Sequence, residues 1–149
     1  MQPLIILHTN DIHGRVEGLA RIATLVEQIR AENPDVPVLY LDAGDSEETS
    51  TRLSNLTKGV AMHRLLTLAG CDAATVGNGG LLRYGYQVLA EYAGAANYPQ
   101  LLANIRLPDG SLLPGVQPTA LLNAGGLHLG VIGVTDDFSA DGANFYEAF

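Results

Sequence analysis

The chain has 149 residues, of which 47% are apolar and 16% are charged. That composition excludes intrinsic disorder and is sufficient for one domain with a hydrophobic core. Sixteen acidic residues against eight basic ones give a net charge of −8, which argues against a nucleic-acid-binding surface. A single cysteine excludes a disulfide framework and a cysteine-rich zinc module.

The N-terminus carries an apolar run of only four residues, 4–7, without a basic leader. This run is too short for a signal peptide or a membrane span. As written, the sequence is therefore expected to be cytoplasmic, with neither a membrane nor a nucleic acid as its partner.

Predicted strands and helices alternate through the first half of the chain. Residues 4–7 predict a strand buried on both faces, followed by the polar segment 8–11. A helical period of apolar residues starts at Leu19 and stops near Asn33 and Pro34. Residues 38–41 predict a second buried strand that ends at Asp42 and Asp45, and residues 46–57 are expected to form a polar loop.

The second half continues this alternation and then changes. The pattern predicts a helix over 58–68, a strand over 73–76 that breaks at the glycine-rich 77–80, a helix over 86–96 and a strand over 101–103. Two apolar runs, 119–122 and 127–134, flank a turn signal at 124–126 and predict an antiparallel hairpin. The fold class is α/β, with a mixed, mainly parallel sheet and flanking helices in one domain spanning residues 1–149.

Four polar residues follow the carboxyl ends of predicted strands: Asp11, His13, Asp45 and Asn78. In an α/β sheet these ends share the edge where ligands bind. Carboxylate, imidazole and amide donors suit Mn²⁺, Zn²⁺ or Mg²⁺. Two carboxylates about 4 Å apart repel each other by roughly 4 kcal/mol at an effective dielectric constant of 20, and a bound cation reverses that sign. In the alternative interpretation these residues only shape turns and cap a neighbouring segment.

Several motifs occur in an order typical of one protein family. Residues 6–14 read ILHTNDIHG, residues 41–45 read LDAGD, residues 53–59 read LSNLTKG, residues 75–78 read TVGN and residues 130–135 read GVIGVT. The sequence thereby resembles the 5′-nucleotidase branch of the calcineurin-like metallophosphoesterases, over nearly its whole length.

The resemblance implies the N-terminal half of a four-layer α/β/β/α metallophosphatase domain with two divalent metal ions. In the family pattern Asp11 and His13 would bind the first metal, Asp45 would bridge the two, and Asn78 would bind the second. The implied activity is hydrolysis of phosphate esters, typically of nucleotides, by a nucleophile that the metals generate.

Two features depart from the family pattern. The family continues after Gly-Asn with His-Glu, whereas this chain has Gly79 and Gly80. The chain also ends at Phe149, before the histidines that complete both metal sites in the family. The sequence therefore predicts an incomplete site with little activity of its own. It also predicts that the uncovered apolar face of the sheet pairs with a second copy or with a missing C-terminal half.

Two other classes of function compete with a phosphohydrolase. A catalytically silent module could keep the scaffold and bind a metal, a ligand or a partner protein. A dinucleotide-binding domain is disfavoured, because the glycine-rich segment 125–130 lies in a hairpin and does not open a helix.

The remaining polar residues each allow two interpretations. Arg83 could contact a phosphate or face solvent. Glu47 and Glu48 are expected in a solvated loop, with extra metal ligation as the alternative. His63 is expected to pack or lie at the surface of a helix, and Cys71 is expected to pack as a small apolar residue.

Overall fold

A computed structural model describes residues 3–136, which contain two sheets. The first sheet has four parallel strands in sequential order: β1 (Ile5–Thr9), β2 (Val38–Asp42), β3 (Ala73–Thr75) and β4 (Gln100–Leu101). The second is the antiparallel hairpin of β5 (Thr119–Ala124) and β6 (Leu127–Ile132). The sheet and the hairpin confirm the predicted fold class, although β4 is shorter than expected.

Five helices connect or follow the strands. They are α1 (Val16–Glu32), α2 (Arg52–Leu56), α3 (Val60–Leu68), α4 (Asn78–Tyr84) and α5 (Leu89–Ala95), with a 3-10 turn (Tyr86–Val88) before α5. Helix α1 begins three residues before Leu19, where the predicted period starts. No helix within residues 3–136 is long and apolar enough to cross a membrane.

The structure corrects two predicted boundaries. The segment 46–57 is not only loop, because α2 forms inside it. The helix expected over 86–96 is a 3-10 turn followed by α5. Strand β3 ends before the glycine-rich segment 77–80, as predicted, and a further helix, α4, begins inside that segment at Asn78. A carboxylate from another loop supports the start of α4: Asp45 Oδ1 accepts the backbone N–H of Gly79 at 2.6 Å.

Two apolar clusters form the core beneath the helices. The first joins α1 and α3 to one face of the sheet and includes Leu19, Val26, Tyr40, Met62 and Leu66. The second joins α4 and α5 to the segment after β4 and includes Leu81, Leu89, Tyr92, Leu102 and Leu113. Both clusters hold the helices that follow β2 and β3, and so they fix the loops at the carboxyl edge of the sheet.

The opposite face of β1 is open. Side chains along this strand alternate between partly buried and exposed, and Ile6 is 49% exposed. The prediction that residues 4–7 are buried on both faces is therefore wrong for β1, because no layer among residues 3–136 covers that face. The hairpin also presents apolar side chains, with Leu121 at 71% and Ile132 at 66% exposure.

Candidate functional site

The loops after β1 and β2 continue to pair beyond the strands. The N–H groups of Asp11 and His13 donate to the carbonyls of Gly44 at 3.0 Å and Asp45 at 2.9 Å, respectively. Asp11, His13 and Asp45 all have positive φ, at 55°, 48° and 55°. Such backbone strain costs about 1–3 kcal/mol per residue and is concentrated at functional sites. The fold therefore presents these three residues together at one edge.

Asp11 and His13 contact each other through their side chains. His13 Nε2 lies 3.2 Å from Asp11 Oδ1. The other ring nitrogen, Nδ1, lies 3.3 Å from Glu48 Oε2, is buried, and makes no hydrogen bond. The imidazole of His13 is thus placed between two carboxylates that come from different loops.

Asp45 connects this pair to α4. Its Oδ1 accepts the Gly79 N–H in the first turn of α4. Asp45 therefore does cap a neighbouring segment, as the alternative interpretation expected. Burial raises the pKa of Asp45, the Gly79 N–H opposes that rise, and the charge of Glu47 adds to it. A side chain at Gly77 would overlap the Asp45 backbone and carboxylate, so only glycine allows α4 to approach so closely.

Asn78 is the first residue of α4 and lies beside Gly79, at the same edge as the other three sequence-predicted residues. The types of donor atom in this set fit a divalent cation. Within residues 3–136, however, no group of three or more His, Cys, Asp or Glu side chains is arranged to hold a metal ion.

Asp42, the last residue of β2, is a further residue of this edge that was not among the predicted site residues. It is buried and accepts hydrogen bonds from Thr9 Oγ1 at 2.6 Å, from the Gly44 N–H at 3.0 Å and from Ser46 Oγ at 3.2 Å. Burial raises the pKa of Asp42 to about 6, although these hydrogen bonds oppose the rise. The sequence feature that could have identified Asp42 is its place in the LDAGD motif, residues 41–45. Its role is to join the two loops that carry Asp11 and Asp45.

Glu47 does not lie in a solvated loop. It is 3% exposed, and its Oε1 lies 2.5 Å from Nε2 of His63, which is 4% exposed. Gln100 donates to His63 Nδ1 at 2.8 Å, and the His63 ring stacks on Tyr92 with centroids 4.0 Å apart. Both ring nitrogens of His63 therefore have partners inside the core, Glu47 at Nε2 and Gln100 at Nδ1. His63 is therefore a packed core residue. Cys71 is also buried, as expected.

Glu48 and Arg83 form the outer part of the edge. Glu48 Oε2 lies 3.3 Å from Arg83 Nη2, and one-fifth of the Glu48 side chain is exposed. The Arg83 guanidinium fills the space next to Gly79: a Cβ added at Gly79 would overlap Arg83 Nη1 and lie 2.6 Å from Asp45 Oδ1. Arg83 is one helical turn beyond Gly79, and long helical side chains cover the preceding turn.

Comparison with known proteins agrees with the motifs. No family model matches the chain. It is 34% identical to a snake venom 5′-nucleotidase of Gloydius brevicauda, over 89% of this chain and 25% of that protein. It is 32% identical to a mouse (Mus musculus) 5′-nucleotidase, over 89% of this chain and 26% of that protein. The chain therefore spans about a quarter of the length of the curated relatives it matches.

Solved structures show the same fold. A 5′-nucleotidase precursor from Thermus thermophilus matches 92% of this chain and 29% of its own, with a TM-score of 0.77 and 27% identity. A NAD nucleotidase from Haemophilus influenzae matches 89% of this chain and 26% of its own, with a TM-score of 0.73 and 23% identity, a likeness of fold alone. By sequence and by fold, this chain fits the N-terminal domain of the 5′-nucleotidase branch of the metallophosphoesterase superfamily.

Proposed function

We propose that this chain carries the N-terminal part of the site of a metal-dependent phosphohydrolase that acts on nucleotide phosphate esters. The observation that supports it best is the placement of Asp11, His13 and Asp45 at one sheet edge by hydrogen bonds between two loops. Their match to 5′-nucleotidases gives this placement its chemical meaning.

Asp11 and His13 would hold one divalent ion, Asp45 would lie between two ions, and Asn78 would hold the second. When bound, such ions neutralise phosphoryl oxygens and activate water as a nucleophile. The protein's own contribution is to orient the donors. The Gly79 N–H fixes one oxygen of Asp45, and the backbone pairing of the two loops fixes the approach of Asp11 and His13.

Arg83 is proposed to contact the phosphate. Its guanidinium lies beside Asp45 over Gly79, and its planar N–H groups suit a phosphoryl group. In the protein as described, Glu48 pairs with this guanidinium and keeps it at the edge.

A catalytically silent metal- or ligand-binding module is the second candidate. It is favoured by Gly79, which has no side chain to act as a general acid or base. A general acid or base contributes about 10²- to 10⁴-fold in rate. We therefore expect the 149-residue polypeptide to have little or no activity on its own.

Both candidates include a metal site at Asp45, which a metal-binding experiment tests. We expect millimolar Mn²⁺ to raise the melting temperature of the protein, since a ligand at 100 times its Kd stabilises a fold by about 2.7 kcal/mol. The Asp45→Ala variant, compared with its own metal-free melting temperature, should show a smaller rise. Equal rises in both proteins would remove Asp45 from the metal site.

Phosphate release above the blank would exclude the silent module. Several nucleoside monophosphates are incubated with the protein and Mn²⁺ or Zn²⁺, and Asp45→Ala serves as the blank. A metal response without release above the blank is the result we expect, and it agrees with either candidate because the first carries only part of a site. Release above the blank would show that the site is completed by other groups, such as Arg83, Glu48 or a second subunit.

A further inference from the structure

Glu48 lies between two side chains, those of His13 and Arg83, that the proposed function places in the site. Its Oε2 is 3.3 Å from His13 Nδ1 and 3.3 Å from Arg83 Nη2. The other oxygen, Oε1, accepts the N–H groups of Thr49 at 2.7 Å and Ser50 at 3.3 Å. These backbone donors lower the pKa of Glu48 and hold its carboxylate in place. Glu48 is thus a carboxylate held in place by backbone N–H groups, and it contacts both His13 and Arg83.

The two ring nitrogens of His13 face different partners. Nε2 faces Asp11 Oδ1 at 3.2 Å, and Asp11 is the proposed co-ligand, so Nε2 is on the side of the metal. Nδ1 faces Glu48 and is a buried atom without a hydrogen bond. Histidines that bind a metal through one nitrogen usually donate the other N–H to a carboxylate or carbonyl, which fixes the tautomer. Glu48 is the carboxylate placed to accept that proton.

Resting on the proposed function, we propose that Glu48 is a positioning residue that couples the metal ligand to the phosphate contact. It accepts the Nδ1–H of His13 when Nε2 binds a divalent cation, and through the same oxygen it holds the Arg83 guanidinium over Gly79. The two ligands concerned are a divalent cation, bound by His13, and the phosphoryl group of a nucleotide, contacted by Arg83.

The first test is the affinity for Mn²⁺ measured by calorimetry on the full 149-residue chain. Glu48→Gln should weaken binding by about 10- to 100-fold, the usual loss when the partner of a ligating histidine is changed. Arg83→Gln should strengthen binding a few-fold, because it removes a positive charge near the cation. Glu27→Gln, an exposed change on α1, should leave the affinity unchanged. A purely structural disturbance would weaken binding in both site variants.

The second test reads the tautomer of His13 by ¹⁵N NMR on the zinc-loaded protein. The unmodified chain should show a protonated Nδ1, and Glu48→Ala should show a mixture of ring forms. Wild-type Mn²⁺ affinity in Glu48→Gln, or a protonated Nε2 in the loaded wild type, would overturn the role of Glu48 while leaving the proposed function intact. A wild type that binds neither Mn²⁺ nor Zn²⁺ would overturn both.

Discussion

At the scale of single residues, the position of the Arg83 side chain over Gly79 decides which residues can stand at position 79. The guanidinium occupies the volume that a side chain at position 79 would need, and Asp45 Oδ1 closes the remaining space. A side chain introduced there must displace Arg83 from the edge and push against the Asp45 carboxylate. Position 79 is therefore not an empty slot that accepts a histidine.

We expect Gly79→His to give no phosphate release above the Asp45→Ala blank, with Mn²⁺ or Zn²⁺ present. The added imidazole overlaps the Arg83 guanidinium and pushes against the Asp45 carboxylate, and so it disturbs a proposed metal ligand. The double variant with Arg83→Ala relieves one overlap and should be equally inactive, since the overlap with Asp45 remains. Release of inorganic phosphate is the measurement, and turnover by either variant would contradict the prediction.

The raised pKa of Asp42 should make the free energy of unfolding depend on pH. Burial raises its pKa to about 6 in the folded protein, whereas an unfolded aspartate titrates near a pKa of about 3.9. Between about pH 4 and pH 6 the folded state binds more protons, so the free energy of unfolding falls as the pH rises and levels off above this window. The fall due to Asp42 is at most about 3 kcal/mol.

Urea denaturation at pH 4 and pH 7 measures this contribution. Asp42→Asn cannot ionise and keeps an oxygen that can accept from Gly44 and Ser46. Its unfolding free energy should therefore change less between the two pH values than that of the wild type. The same change in both proteins would show that Asp42 is ionised without cost in the folded state.

At the scale of elements, the junction of α2 and α3 depends on one glycine. Gly59 has a φ of 86°, and a Cβ there would overlap Glu47 Cγ and lie 2.6 Å from the Tyr92 hydroxyl. The junction therefore places α3 so that its His63 meets the buried Glu47. Because these contacts surround Gly59, the local chain cannot relax around a larger residue.

Gly59→Ala should lower the free energy of unfolding by at least about 2 kcal/mol, from left-handed strain and overlap together. Gly94→Ala in α5 is the matched control, since a Cβ there meets nothing within 4 Å. That control should raise stability by roughly 0.5–1 kcal/mol through helix propensity. Urea denaturation compares the two, and equal effects would contradict the role of Gly59.

At the scale of the whole molecule, one face of the main sheet is uncovered. Ile6 is exposed on this face, and His8, two residues further along β1, lines an open cavity of about 240 Å³ together with Leu41 and Ile132. The cavity lies between the sheet and the hairpin. Exposed apolar surface of this kind favours association with another protein surface.

We therefore predict that the 149-residue polypeptide forms a dimer that buries this face. Light scattering at tens of micromolar should give twice the monomer mass. Ile6→Lys should shift the protein to monomer, whereas Leu25→Lys, at a 52% exposed position on α1, should leave the dimer intact. A monomeric wild type without bound detergent would count against the prediction.

The sequence alone determined the order of the strands, the helices α1 and α3, and the edge at which the polar residues gather. Apolar runs and periods are local signals, and parallel strands necessarily end at a common edge. The placement of Asp11, His13, Asp45 and Asn78 at that edge therefore follows from local pattern. Their role as metal ligands stays a prediction.

Only the tertiary structure decided contacts between residues far apart in the chain. Helix α4 begins inside a glycine-rich segment because the carboxylate of Asp45, 34 residues earlier, accepts the Gly79 N–H. Glu47 is buried because His63 and its neighbours enclose it, although its acidic local sequence is typical of a solvated loop. Local pattern reports what a residue prefers, and burial depends on which distant groups the fold brings to meet its charge.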